Sequence, residues 1–230
     1  MSRVVRNAVE VAALVLVPAT LGACAATGLE QGALLTVGAA LAAVVVFFAG
    51  FETSCPALRQ IMPTVVLAAL AAAGRAIFAP IPDFKPVSAI CIIAGICFGR
   101  RSGFMTGALA ALTSNFFFGQ GAWTPWQMYA WGLIGYLAGV LGGAGLLRRR
   151  PVLLAFGFLS AMLYGLLLNG WYVIGYVHPL TWPAVLAAYA AGFPLDCVHG
   201  VATVVFLQAL YTPWLRKLDR IKTKYDLAAR

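Results

Sequence analysis

Residues 32–50 read GALLTVGAALAAVVVFFAG. The run carries no charge, and as a helix rising 1.5 Å per residue it reaches about 28 Å. That length matches a bilayer's hydrocarbon core. Comparable runs recur, and eight spans are predicted: 8–27, 32–50, 58–79, 87–99, 102–117, 126–147, 151–176 and 183–211. Only 10% of residues are charged, 62% are hydrophobic and the mean hydropathy is +0.90. A soluble domain carries about a quarter charged residues. The expected fold is an all-α integral membrane protein, one helical bundle without a separate soluble domain.

Breakers separate the spans: residues 28–32 (GLEQG), 52–56 (ETSCP), Pro80-Ile-Pro82, 99–103 (GRRSG), 114–128 (SNFFFGQGAWTPWQM), 148–151 (RRRP) and Trp182-Pro183. Charge tests this parsing. With the N-terminus in the cytoplasm and the spans alternating, all of the sixteen Lys and Arg except Arg75 and Lys85 fall on the inner side. That is the pattern of the positive-inside rule. The net charge of +9 therefore reports topology, and nucleic acid is not an expected partner. The outer segments become Gly28–Gln31, Ala79–Pro86, Phe117–Pro125 and Tyr176–Pro183. Leu21-Gly-Ala-Cys24 is similar to a lipoprotein cleavage signal, but Glu10 inside the apolar run argues against one. The five cysteines show no CxxC spacing, so neither a zinc site nor a disulfide framework is indicated.

The fourth span covers only about 20 Å. A short helix beside loops rich in proline and aromatics points to loops that dip into the membrane, where protein or a cavity must surround irregular backbone. Residues 80–86, 114–128 and 169–179 are expected to line one outward cavity.

Polar side chains within spans are costly and mark sites or internal pairs. Arg75 either snorkels to the headgroups or meets a partner. Asp196, His199 and Thr203 share one face of the eighth span, so Asp196 is a candidate partner for Arg75, as a structural pair or through a substrate. Pro194 is expected to kink that helix. Phe84, Phe116, Trp123, Trp126, Trp171 and Tyr172 cluster outside, partly as an interfacial belt. Interleaved with such aromatics are Asn115, Gln120, Gln127 and Asn169, and Lys85 lies nearby. Aromatic faces with a few placed amides suit a flat, hydrogen-bonding small molecule. Ala68-x-x-x-Ala72, or the alternative frame Ala69-x-x-x-Ala73, and the glycines Gly132, Gly135, Gly139, Gly142 and Gly143 mark close helix contacts.

No GxxxxGK[ST], HExxH or GxSxG occurs. The chain is not itself a P-loop ATPase, and no metal site or resident cofactor is indicated.

From Ala68 onward the chain resembles the substrate-binding (S) components of energy-coupling factor (ECF) vitamin transporters. The residues that carry the likeness are Ala72-Ala-Gly-Arg75, Pro82-Asp-Phe-Lys-Pro86, Ile92-Ile-Ala-Gly95, Phe98-Gly99, Gly103-Phe104, 107–112 (GALAAL), 114–121 (SNFFFGQG), 123–128 (WTPWQM), 131–135 (WGLIG) and Asp196-x-x-His199. The resemblance implies a six-helix core at 58–215, preceded by two additional transmembrane helices within 1–57 and followed by a basic cytoplasmic tail at 216–230. It implies a non-enzymatic chain in a bacterial plasma membrane, with both termini cytoplasmic. It also implies a coupling subunit that meets Ala68 and Ala72, and two cytoplasmic ATPases. The vitamin would bind beneath residues 80–86, 115–125 and 169–183, where Arg75, Phe84, Lys85, Asn115, Phe116, Gln120, Trp123, Trp126, Gln127, Asn169, Trp171, Tyr172, Asp196 and His199 are the candidate contacts. The branch is similar to S components linked to cobalamin, with flavins and other flat vitamins as alternatives. A standalone secondary transporter or channel, or an intramembrane enzyme using Asp196 and His199, are the competing readings.

Overall fold

Backbone amides in lipid must be paired within their own segment, and the apolar spans are helices in the computed structural model. It describes residues 3–27, 32–52 and 58–224, excepting the side chains of Arg3 and residues 58–60. The 28–31 connection, most of the 52–56 breaker including Cys55, and Arg230 lie outside the described residues. Among the described residues are eight α-helices, one 3-10 turn and no strand. The helices are α1 (Arg3–Thr27), α2 (Gly32–Glu52), α3 (Leu58–Ile77), α4 (Val87–Phe98), α5 (Arg100–Phe118), α6 (Trp123–Gly143), α7 (Arg150–Tyr176) and α8 (Trp182–Lys224). Four of them, α1, α2, α7 and α8, are long and apolar enough to cross a membrane.

The short α4 is the axis of the bundle. It touches α3, α5, α6, α7 and α8, and all its residues except Ile96 and Phe98 are buried. Enclosed by protein, it has no need to match the bilayer. Its neighbours approach through glycine. A Cβ on Gly103 would strike the Gly135 carbonyl, one on Gly107 the Trp131 carbonyl, and one on Gly139 the backbone of Arg100. The glycine stripe of α6 is therefore a backbone seam, although Gly143 faces open space.

Two expectations about the outer connections are corrected. Residues 115–118 are the last turn of α5 and α6 already begins at Trp123, leaving only 119–122 between them. Residues 169–176, expected both within the span 151–176 and as part of a dipping segment 169–179, are the last turns of α7, as that span has them, leaving 177–181 before α8. Helix ends hold aromatics at an interface while pairing their own amides, which a dipping loop does not. Among the described residues the longest irregular connection is 78–86, with Asp83 in the left-handed region at φ 49°. α8 also runs on to Lys224 in place of stopping at 211, so residues 216–224 are helical.

The first two helices pack on α5, α6 and α7. Phe47 of α2 stacks on Phe104 (3.8 Å) and meets Tyr136 edge-on (5.4 Å). Glu10 of α1 is 3% exposed. It pairs with Arg100 Nε (3.2 Å) and accepts from Arg101 Nε (2.5 Å) and the Tyr136 hydroxyl (3.3 Å). Tyr129 donates to the Leu14 carbonyl (2.6 Å). Arg100 and Arg101, expected as inner-side topology charges, thus also clamp α1 to the bundle. Cys24 is buried beside the Gly32 carbonyl.

Candidate functional site

A polar network crosses the end of the bundle near Arg75. The guanidinium donates through Nη1 to Ser114 Oγ (2.7 Å) and Asn115 Oδ1 (2.6 Å). Asn115 is fully buried. Its amide donates to Thr124 Oγ1 (3.0 Å) and Gln127 Oε1 (2.8 Å). Thr124 donates to Gln120 Oε1 (2.9 Å), and Gln120 Nε2 donates to the Leu112 carbonyl (3.0 Å). One asparagine thereby joins α3, α5 and α6, using both halves of its amide.

The guanidinium also lies over two rings, Phe118 at 4.7 Å and Trp131 at 5.1 Å, within cation–π range. From Trp131 a second network continues inward. Its indole donates to Ser88 Oγ (3.2 Å), and Ser88 Oγ lies 2.7 Å from His199 Nε2. Trp131 stacks on Tyr164 (4.9 Å), which meets His199 edge-on (5.1 Å). Arg75, Phe118, Trp131, Tyr164, His199 and Ser88 therefore draw one residue from each of α3 to α8.

Asp196 is held elsewhere. Its Oδ2 accepts from Asn169 Nδ2 (3.1 Å), and its carboxylate covers Gly165, where any Cβ would collide with it. Arg75 thus binds neutral acceptors, and Asp196 clasps α7 to α8. Asp196 and His199, one turn apart, enter different networks.

Lys85 turns back on its own connection. Its ammonium donates to the carbonyls of Phe78 (2.5 Å), Ala79 (3.3 Å) and Ile81, satisfying oxygens beyond the end of α3. Burial in that nest lowers the ammonium's pKa below its ordinary value, with Asp83 opposing and Arg75 adding. Phe84 packs with Phe206 (5.3 Å) and Phe78 (6.1 Å), fastening the connection to α8.

The remaining candidates separate. Phe116 is 73% exposed and Trp123 40%. Trp171 and Tyr172 gather around Tyr176 at the end of α7. Trp126 is fully buried, with Nε1 unpartnered. It shares its helix face with Tyr129, which contacts α1, whereas Gln127 and Trp131 share another. Ala68 and Ala72 are buried inside the chain, while Ala69 and Ala73 are exposed; only the second frame is open to a partner.

Sequence reasoning left out Ser88, Ser114, Trp131 and Tyr164 as contacts. Ser88 had a signal: it is the lone hydroxyl in the otherwise apolar α4, and a buried hydroxyl requires a partner.

No curated protein and no solved structure matches the chain. The family described as a family of unknown function (DUF6580) matches residues 56–217. That region begins just before α3 and ends within α8, so it contains both networks and leaves α1 and α2 outside. The match covers well over half of the chain, which accordingly belongs to the DUF6580 family.

Proposed function

We propose that the chain is the substrate-binding subunit of an ATP-driven, ECF-type micronutrient importer in a bacterial plasma membrane. In this reading α3–α8 are the six-helix capture core and α1–α2 two added membrane helices, with both termini cytoplasmic. The ligand is a vitamin-like small molecule, cobalamin first and a flavin or other flat vitamin next. ATP hydrolysis belongs to two partner ATPases, reached through a membrane coupling subunit that would meet the Ala69/Ala73 face of α3.

The observation that carries this reading is the Arg75–Asn115–Gln127 network with Trp131 beside it. Six helices converge on a cation, amides and aromatic faces within a largely apolar bundle, a costly arrangement to hold within a membrane. Those groups suit recognition of a flat ligand with hydrogen-bonding edges. Nucleophile and metal-ligand motifs are missing from the sequence, so capture accounts for the network more simply than chemistry.

The test is affinity purification of the tagged full chain from its native membranes, with mass spectrometry of both proteins and retained small molecules. The expected result is a coupling subunit, two ATPases and one retained micronutrient. Recovery without any ATPase, together with uptake by vesicles containing this chain alone, would establish a standalone transporter and defeat the proposal.

A further inference from the structure

At the opposite end of the bundle from Arg75, α3 and α8 leave a groove of about 620 Å³. Met62, Val66 and Leu70 form its α3 wall, and Trp214, Lys217 and Ile221 lie on the α8 side. The four-residue spacing of the α3 residues makes a continuous apolar strip about 12 Å long. On α8 the spacing of three and four puts an aromatic, a cation and an aliphatic group on one face. Lys217 is exposed at the rim, and Arg216 and Arg220 are exposed beside it. The acid among them, Asp219, faces Lys222 at 3.9 Å. The groove thus has greasy walls and a cationic mouth.

We propose that this groove binds one anionic phospholipid from the surrounding leaflet, its acyl chain along the Met62–Leu70 strip and its phosphate at Lys217 and Arg220. Charge decides between lipid classes. A zwitterionic headgroup brings its own cation to a mouth that already holds several. A glycerol-type anionic headgroup brings only the complementary charge. Trp214, with an apolar body and a polar N–H, suits the depth where chain gives way to headgroup. Met62 and Val66 lie on the same face of α3 as Ala69 and Ala73, so the acyl-chain strip runs into that stripe. The proposal does not depend on the transport reading.

Native mass spectrometry of the full chain in a nonionic detergent, with equal amounts of phosphatidylglycerol and phosphatidylcholine added, tests this. Phosphatidylglycerol adducts are expected to dominate. Lys217→Gln and Arg220→Gln should each weaken their retention about five-fold, the effect of one basic residue near an anionic surface. Val66→Trp, which fills the groove, should reduce retention of both lipids. Equal retention of the two lipids overturns the proposal. So does phosphatidylglycerol binding that survives Val66→Trp, because the lipid would then be held by surface charge alone. If a variant unfolds, the wild type still decides: phosphatidylglycerol must raise its thermal midpoint more than phosphatidylcholine does, and equal shifts refute the site.

Discussion

Asn115 is the residue on which the candidate site turns, and Asn115→Leu tests it most directly. Leucine is close to asparagine in shape, so the change removes polarity more than volume. Three hydrogen bonds disappear: the acceptor for Arg75 Nη1 and the donors to Thr124 and Gln127. The bond from the guanidinium is charge-assisted and contributes about 1.5–3 kcal/mol. Neutral bonds between membrane helices average about 0.6 kcal/mol each. The expected loss is roughly 3–4 kcal/mol, which for a chain of this size lowers the melting midpoint by roughly 10 °C. The assay is thermal unfolding in detergent followed by tryptophan fluorescence, with Phe116→Leu as the control. Phe116 is 73% exposed, so its change should stay within about 0.5 kcal/mol. A double-mutant cycle with Arg75→Met should return a coupling of about 1 kcal/mol or more, because the apolar pair no longer strands a charge. If Asn115→Leu behaves like Phe116→Leu, the network is not a stabilising unit and the argument built on it fails.

Three further outcomes follow from the geometry. Ser88→Ala removes the shared partner of His199 and Trp131 and should cost about 2 kcal/mol, on the scale of stranding a buried polar group. Thermal unfolding reads it, and an unchanged midpoint would deny that Ser88 bridges the two rings. Ala68→Leu should destabilise by about 1–3 kcal/mol through overpacking, while Ala69→Leu leaves the isolated chain's midpoint unmoved; equal effects would contradict the burial of one frame and exposure of the other. Glu10→Gln breaks the buried end of the Arg100/Arg101 clamp, costing about 2 kcal/mol after discounting for the partly exposed arginines. Hydrogen exchange in α1 should rise selectively, and uniform exchange across the chain would count against a local clamp.

Helix positions were legible because a membrane imposes a length and forbids unpaired backbone. The predicted starts of α2, α3 and α4 fall on Gly32, Leu58 and Val87 as observed. The connection between α5 and α6 was not legible, because glycine, proline and aromatics read alike in a loop and in the turn that closes a helix. Gly119 and Pro125 suggested a loop through residues 117–125, yet Pro125 sits in the first turn of α6, where its missing amide hydrogen costs nothing. The Glu10 clamp was hidden for another reason. Its partners lie 90 and 91 residues away on another helix, and Arg100 and Arg101 already had a sufficient explanation as topology charges.

The site shows the same limit at finer scale. Trp126 and Gln127 are neighbours in sequence, but successive residues on a helix point about 100° apart. Gln127 joins the Asn115 network, while Trp126 shares the face that meets α1. A stretch that reads as one aromatic and amide patch is therefore two surfaces. Composition finds such a patch, and only helical phase divides it. Arg75 shows the complementary limit. Opposite charge made Asp196 its natural partner in sequence, yet the guanidinium is held by Ser114 and Asn115 and by two ring faces. Neutral acceptors and quadrupoles orient the guanidinium, and the Asp83 carboxylate of the 78–86 connection acts on it only through space. An aspartate pair would have used the charge inside the bundle. The arrangement present keeps Arg75 positioned and still cationic, which is the condition a positively charged contact must meet to attract an acidic group on a ligand.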